Sequence, residues 1–279
     1  MAENCSKDCS SCGESCSSRK AESLKKKPHD LSAVKRVIAV VSGKGGVGKS
    51  MTSALLAVAS QNKGYITALM DADITGPSIP RMLGIHTRAM GSDGGILPVV
   101  SESGIQVMSM NVLLEKEDDP VVWRGSLISG TVLQFWTDVI WHEVDYMFID
   151  MPPGTGDVPL TVFQSLPVDG IIIVTTPQDL VGMIVQKAVN MAEMMNVPIL
   201  GIVENMSYIP CPDCGRKISV FGESCVDALA LEHGIPVVAK VPIDSRLTQA
   251  ADSGKLEEWE NNYLSDFFDK IDTNLNKKK

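Results

Sequence analysis

From Arg36 onward, apolar runs of strand length alternate with stretches of helical character. Runs at 37–41, 66–70, 146–149, 170–175, 199–203 and 237–241 read as strands, and 51–59 and 181–195 as helices. That alternation predicts an α/β fold, doubly wound about a mainly parallel sheet. Two further runs, 96–100 and 105–110, flank Ser101-Glu102-Ser103-Gly104 and predict a hairpin on one edge. The closing stretch 256–275 predicts a helix docked on the domain, with Trp259, Tyr263, Phe267 and Phe268 on or near one side. In helix 181–195, Met183, Met191, Met194 and Met195 read as core filler. Residues 1–32 show no apolar periodicity and predict a tail that is disordered without metal, ahead of a domain at 33–279.

Each predicted strand ends at residues with chemistry in them, as in parallel sheets that bind ligands beyond their carboxyl ends. After the first strand, Gly43-Lys44-Gly45-Gly46-Val47-Gly48-Lys49-Ser50 fits G-x-x-x-x-G-K-[ST], the phosphate-binding loop. Glycines let backbone N–H groups converge on phosphate oxygens at a helix N-terminus. Lys49 would reach the β- and γ-phosphates of ATP, and the Ser50 hydroxyl would sit on Mg²⁺. The same residues fit the weaker dinucleotide fingerprint through Gly43, Gly45 and Gly48, with Asp71 as its acidic residue. Lys-Ser directly after the last glycine, and a second phosphate-site element downstream, favour the phosphate loop.

The additional Lys44 in this loop resembles the deviant Walker A family of P-loop ATPases, which includes MinD, ParA and the Mrp/ApbC iron–sulfur carriers. The resemblance implies that Lys44 reaches across a dimer interface to the partner's nucleotide. Asp71-Ala72-Asp73-Ile74-Thr75-Gly76-Pro77-Ser78-Ile79-Pro80 is similar to the Mrp/ApbC form, which implies that Asp73 orients the attacking water. Helix capping or turn formation by Asp73 and Thr75 is the structural alternative. Asp150, at the end of a strand, matches the Walker B position that holds Mg²⁺. The Pro-Pro-Gly-Thr-Gly-Asp segment after it would let the Gly154 N–H sense a γ-phosphate. By the same resemblance Asn205 lies on the adenine and 241–244 flank the base. Met51 stands where the family usually has Thr.

Seven cysteines fall in two groups, Cys5, Cys9, Cys12 and Cys16 at the start and Cys211, Cys214 and Cys225 late. Four thiolates in the tail suffice for one [4Fe–4S] cluster; a zinc knot or a redox-prone tail are the alternatives. The lysine run 25–27 reads as a solvated linker. Cys211-Pro212-Asp213-Cys214-Gly215 is a tight knuckle suited to metal, but two thiolates cannot close a tetrahedral or cluster site. Its completion would be a second copy across a two-fold axis, giving a homodimer with a bridged cluster. Cys225 reads as a buried thiol at a helix start.

The chain has 279 residues, 44% hydrophobic and 21% charged, with a formal net charge of −9. That balance argues against a general nucleic-acid binder. No apolar run approaches the roughly 18 residues of a membrane span, and the start lacks a signal-peptide core, so a cytoplasmic protein is expected. Acidic residues in the closing helix argue against a membrane anchor there. The resemblance to Mrp/ApbC proteins covers about residues 33–253 and implies an ATP-hydrolysing homodimer that holds an iron–sulfur cluster and transfers it to apo-proteins. A MinD/ParA-like positioning ATPase with a structural zinc is the second reading, and a dinucleotide enzyme the third.

Overall fold

The structure is a computed structural model, and it describes residues 24–115, 125–177 and 181–277. In chain order it begins with β1 (Ala33–Ser42), α1 (Lys49–Asn62), β2 (Thr67–Asp71) and α2 (Ile79–Met82). Four short strands follow: β3 (Met90–Ser92), β4 (Gly95–Leu97), β5 (Val99–Val100) and β6 (Gln106–Met108). Then come α3 (Gly125–Thr137), β7 (Glu143–Asp150), α4 (Asp157–Ser165), β8 (Gly170–Thr175), α5 (Val181–Met195) and β9 (Ile199–Glu204). The chain continues through β10 (Ile209–Pro210), β11 (Lys217–Ile218), α6 (Val226–Glu232), β12 (Val238–Lys240), α7 (Ser245–Asp252) and α8 (Ser265–Lys277).

Eight strands form one sheet in the order β12-β9-β8-β1-β7-β2-β6-β5, parallel except for β5. The central strands are buried along nearly their whole length because helices cover both faces. Helix α1 packs on β2 and β7 and against α8, while α3 pairs with α4 and α5 with α6. Strand order reverses at β1, whose neighbours are β7 and β8, and this opens the crevice beyond its carboxyl end. Two parallel registers align the site carboxylates: Val40 and Asp71 both lie opposite Asp150. Close packing is visible at Gly170, where a Cβ would sit 2.4 Å from Leu200 Cγ.

The edge hairpin differs from the expected one. Residues 99–100 pair antiparallel with β6, but β6 is also parallel to β2, so it belongs to the sheet and does not decorate it. Residues 95–97 leave the edge and pair with β3. The closing helix is broken: Leu256–Glu258 is a 3₁₀ turn, and α8 starts only at Ser265. Asn262 explains the break, because its side chain accepts from Leu264 N at 3.0 Å and donates to Leu55 O at 2.8 Å. Such local bonds compete with the helical ladder. The docking of α8 is real, with Leu264, Phe267, Phe268, Ile271 and Leu275 buried.

Three other expectations change. The lysine run is bound to the domain: Lys25 Nζ donates to the carbonyls of Phe163 and Leu166, and Lys26 N donates to Ser165 O. A cation there meets the negative end of α4. Met183 and Met194 are exposed, and only Met191 and Met195 pack against the core. Cys225 is exposed, not buried, because it caps α6 one residue before Val226 turns inward.

Candidate functional site

The crevice beyond β1 holds a cavity of about 260 Å³, lined by the loop 44–51 together with Ser42, Asp73, Ser78, Met82 and Pro153. Gly46 and Gly48 adopt left-handed backbone with φ of 77° and 79°, which other residues adopt only with strain. At Gly48 the approach is also tight, since a Cβ would lie 2.1 Å from Asn205 Nδ2. The Lys49 side chain is buried with its ammonium 2.8 Å from Asp150 Oδ1, yet no acceptor takes a well-aligned hydrogen bond from it. A buried cation with unspent donors, beside a backbone cradle at the start of α1, fits a phosphate group.

Asp150 is the hub of the polar cluster. Its Oδ2 accepts from Ser50 Oγ at 2.6 Å, and its Oδ1 accepts from Ser53 Oγ at 2.7 Å. A hydroxyl and a carboxylate at that separation form a donor set suited to a hard divalent cation. Ser53 is absent from the loop motif, though it repeats Ser50 three residues on along the same helical face. Asp71 is fully buried, with Ser109 Oγ at 3.0 Å and Asp73 N at 3.1 Å as donors to its carboxylate. Burial, then the charge of Asp150, pushes its pKa up to about 8. A carboxylate so enclosed cannot reach a ribose hydroxyl, which removes the dinucleotide reading. Asp73 lines the cavity with its pKa raised, chiefly by burial.

Gly154 has φ of 90°, and its N–H donates to Ser42 O at 2.9 Å, so that amide is engaged with β1. Asn205 is buried and turned toward the phosphate loop, its Nδ2 donating to Val47 O at 3.0 Å. Lys44 lines the mouth of the cavity, and its carbonyl accepts from Ser42 Oγ.

The knuckle stands apart on an exposed excursion. Cys211 and Cys214 are free thiols in the turn between β10 and β11; Cys211 is half-buried and Cys214 exposed. The N–H groups of Cys214 and Asp213 lower the Cys211 pKa, which favours the thiolate. Among the described residues no group of three or more His, Cys, Asp or Glu side chains could hold a metal ion. Cys5, Cys9, Cys12 and Cys16 lie outside the described residues.

Known proteins share this architecture. An iron–sulfur cluster carrier protein of Clostridium perfringens is 49% identical over 81% of this chain and 82% of its own length. One from Methanocaldococcus jannaschii is 45% identical over 81% of this chain and 78% of its own length. Among solved structures, a nucleotide-binding protein from Archaeoglobus fulgidus in complex with ADP aligns with a TM-score of 0.75 at 44% identity. The alignment covers 83% of this chain and 91% of that one. The cell-division ATPase MinD of Pyrococcus furiosus aligns with a TM-score of 0.60 at 18% identity, over 88% of this chain and 99% of its own, a likeness of fold alone. The family model described as the NUBPL iron-transfer P-loop NTPase matches residues 33–276, from the first strand to the last helix. The chain is a member of the iron-transfer P-loop NTPase family.

Proposed function

We infer that this protein is an ATP-hydrolysing carrier that holds a [4Fe–4S] cluster between two copies of the chain and passes it to apo-proteins. One observation carries the reading: a complete phosphate loop shares the molecule with a solvent-exposed Cys-x-x-Cys knuckle that has no further ligand among the described residues. Within one subunit two thiolates leave either a tetrahedral zinc site or a cluster site open. The names of the carrier relatives and the iron-transfer family model disfavour the MinD-like alternative. Two knuckles across a two-fold axis supply four thiolates, the complement of a cubane cluster. Ile209, Ile218, Val220 and Phe221 lie exposed around the knuckle, an apolar surface that a second subunit would cover.

In this reading the loop amides and Lys49 bind the phosphates, and Asn205 meets the base. Ser50 and Asp150 hold Mg²⁺, which when bound neutralises charge on the β- and γ-phosphates. Asp73 orients the water, and Lys44 crosses to the partner's nucleotide. Gly154 exchanges its bond to Ser42 for the γ-phosphate. No helix among the described residues is long and apolar enough to cross a membrane. The net charge of −9 disfavours nucleic acid and anionic membrane surfaces as partners. The tail cysteines Cys5, Cys9, Cys12 and Cys16 hold a cluster of their own.

The test is iron and acid-labile sulfide on anaerobically reconstituted protein, with sedimentation of the same samples. The Cys211→Ala, Cys214→Ala double variant should bind ATP, lose the iron held at the knuckle and dimerise more weakly than the parent. Unchanged iron and an unchanged monomer–dimer balance in that variant would overturn the bridged-cluster reading.

A further inference from the structure

Glu204 closes β9 with no exposed surface, and neither the phosphate chemistry nor the thiolates use it. Both of its oxygens are taken by serine hydroxyls: Ser207 Oγ donates to Oε2 at 2.6 Å, and Ser224 Oγ donates to Oε1 at 2.7 Å. Those serines stand at the two ends of the excursion 208–223, which carries the knuckle. Beyond Tyr208 every residue of that excursion is exposed except Cys211, which is half-buried. An excursion with so little packing of its own takes its orientation from its base. At the base, one buried carboxylate holds both strands of the neck, assisted by Ser207 N on Val241 O and Ile243 N on Tyr208 O.

The next residue faces the other site. Asn205 N donates to Thr175 O, and its Nδ2 donates to Val47 O inside the phosphate loop. Between Asn205 and Ser207 lies Met206, a non-glycine residue with φ of 56°. Left-handed backbone at such a residue is strained and persists only where neighbours enforce it. Three consecutive residues, Asn205 to Ser207, therefore run from the phosphate loop, through a strained peptide, to the clasp at the root of the knuckle.

We propose that Glu204 is a positioning residue that couples occupancy of the phosphate loop to the presentation of Cys211 and Cys214. The proposal rests on the nucleotide reading given above. An anion in the loop draws the amides around Val47 toward it, and the Val47 carbonyl carries Asn205 with it. The shift passes through Met206 to Ser207, and Glu204 transmits it to Ser224, so both ends of the excursion move as one. Without the clasp β10 and β11 stay paired, but the return of the chain at Ser224 is no longer tied to the end of β9, and the knuckle no longer follows the nucleotide.

The experiment uses the full chain, reduced and metal-free, with iodoacetamide pulses and mass spectrometry of the peptide that carries Cys211 and Cys214. ADP binding is measured on the same samples by equilibrium dialysis. In the parent, saturating Mg·ADP should change the alkylation rate by about fivefold, the lower end of ordinary coupling between sites. Ser224→Ala removes one arm of the clasp near the surface; it should bind ADP as the parent does and show equal rates with and without it. Glu204→Gln should retain the coupling, because its amide accepts from one serine and donates to the other. A purely structural role would lower the melting temperature and leave the nucleotide dependence intact. Equal rates in an ADP-bound parent, or a full rate difference in Ser224→Ala, would overturn the coupling. A parent that binds no ADP would remove the nucleotide reading, and the proposal with it.

Discussion

Substituting Asp150→Asn isolates the charge of Lys49 with almost no change of shape. The two side chains are 6% and 1% exposed and meet at 2.8 Å. The Ser50 and Ser53 hydroxyls can donate to the amide oxygen or accept from its NH₂ group, so their hydrogen bonds survive. What remains is a buried ammonium without its partner, and breaking such a pair costs about 3–5 kcal/mol. Asp71 reduces that cost. Its proton is held partly by the charge of Asp150, so removing that charge lets Asp71 ionise more readily opposite Lys49. The lower end, about 3 kcal/mol, is therefore expected, and at about 2–4 °C per kcal/mol for a domain of this size the melting temperature should fall by about 6–12 °C. The assay is thermal unfolding at neutral pH without nucleotide or magnesium. A Lys49→Met, Asp150→Asn double variant should recover most of the loss, since a neutral pair of similar volume replaces a buried ion pair at little cost. An Asp150→Asn melting temperature equal to the parent's, or a double variant no better than the single, would refute the argument.

Asp73→Asn should retain ADP affinity and slow ATP hydrolysis by about a hundredfold or more, measured as phosphate release under saturating ATP. Asp244 caps α7, and the Arg246 guanidinium, followed by the Tyr263 hydroxyl, outweighs desolvation and holds its pKa at about 2. Its folded-state pKa is depressed, so its contribution is fully present above the unfolded value near about 4 and is lost as pH falls through about 2. Denaturant titrations of Asp244→Asn across that window should show a flatter loss of stability than the parent. Phe268 is fully buried and edge-on to Tyr65, Tyr146 and Phe148. Phe268→Ala should cost about 3–5 kcal/mol in equilibrium unfolding, through lost burial and the cavity left behind.

The phosphate loop, the strand at Gly170–Thr175 and the helix at Val181–Met195 were legible in the chain as written, with the last two matching to the residue. Each is a local matter: an apolar run, a helical period, or glycines at the spacing a phosphate requires. Asp150 was legible for the same reason, as a carboxylate at the end of an apolar strand. Residues whose partners lie far along the chain were not. Asp71 read as an available acid, but the register that sets it opposite Asp150 encloses it. Lys25 read as solvated, although the carbonyls it reaches lie 138 and 141 residues away. Asn262 interrupts the closing helix by reaching back to Leu55, a contact that no helical period encodes. Glu204 carried no motif, and only the return of the chain at Ser224 shows that it holds both ends of one excursion. Local periodicity determines which backbone forms and which face is apolar. Which polar atom meets which depends on sheet order and chain return, and those are decided only when the layers pack.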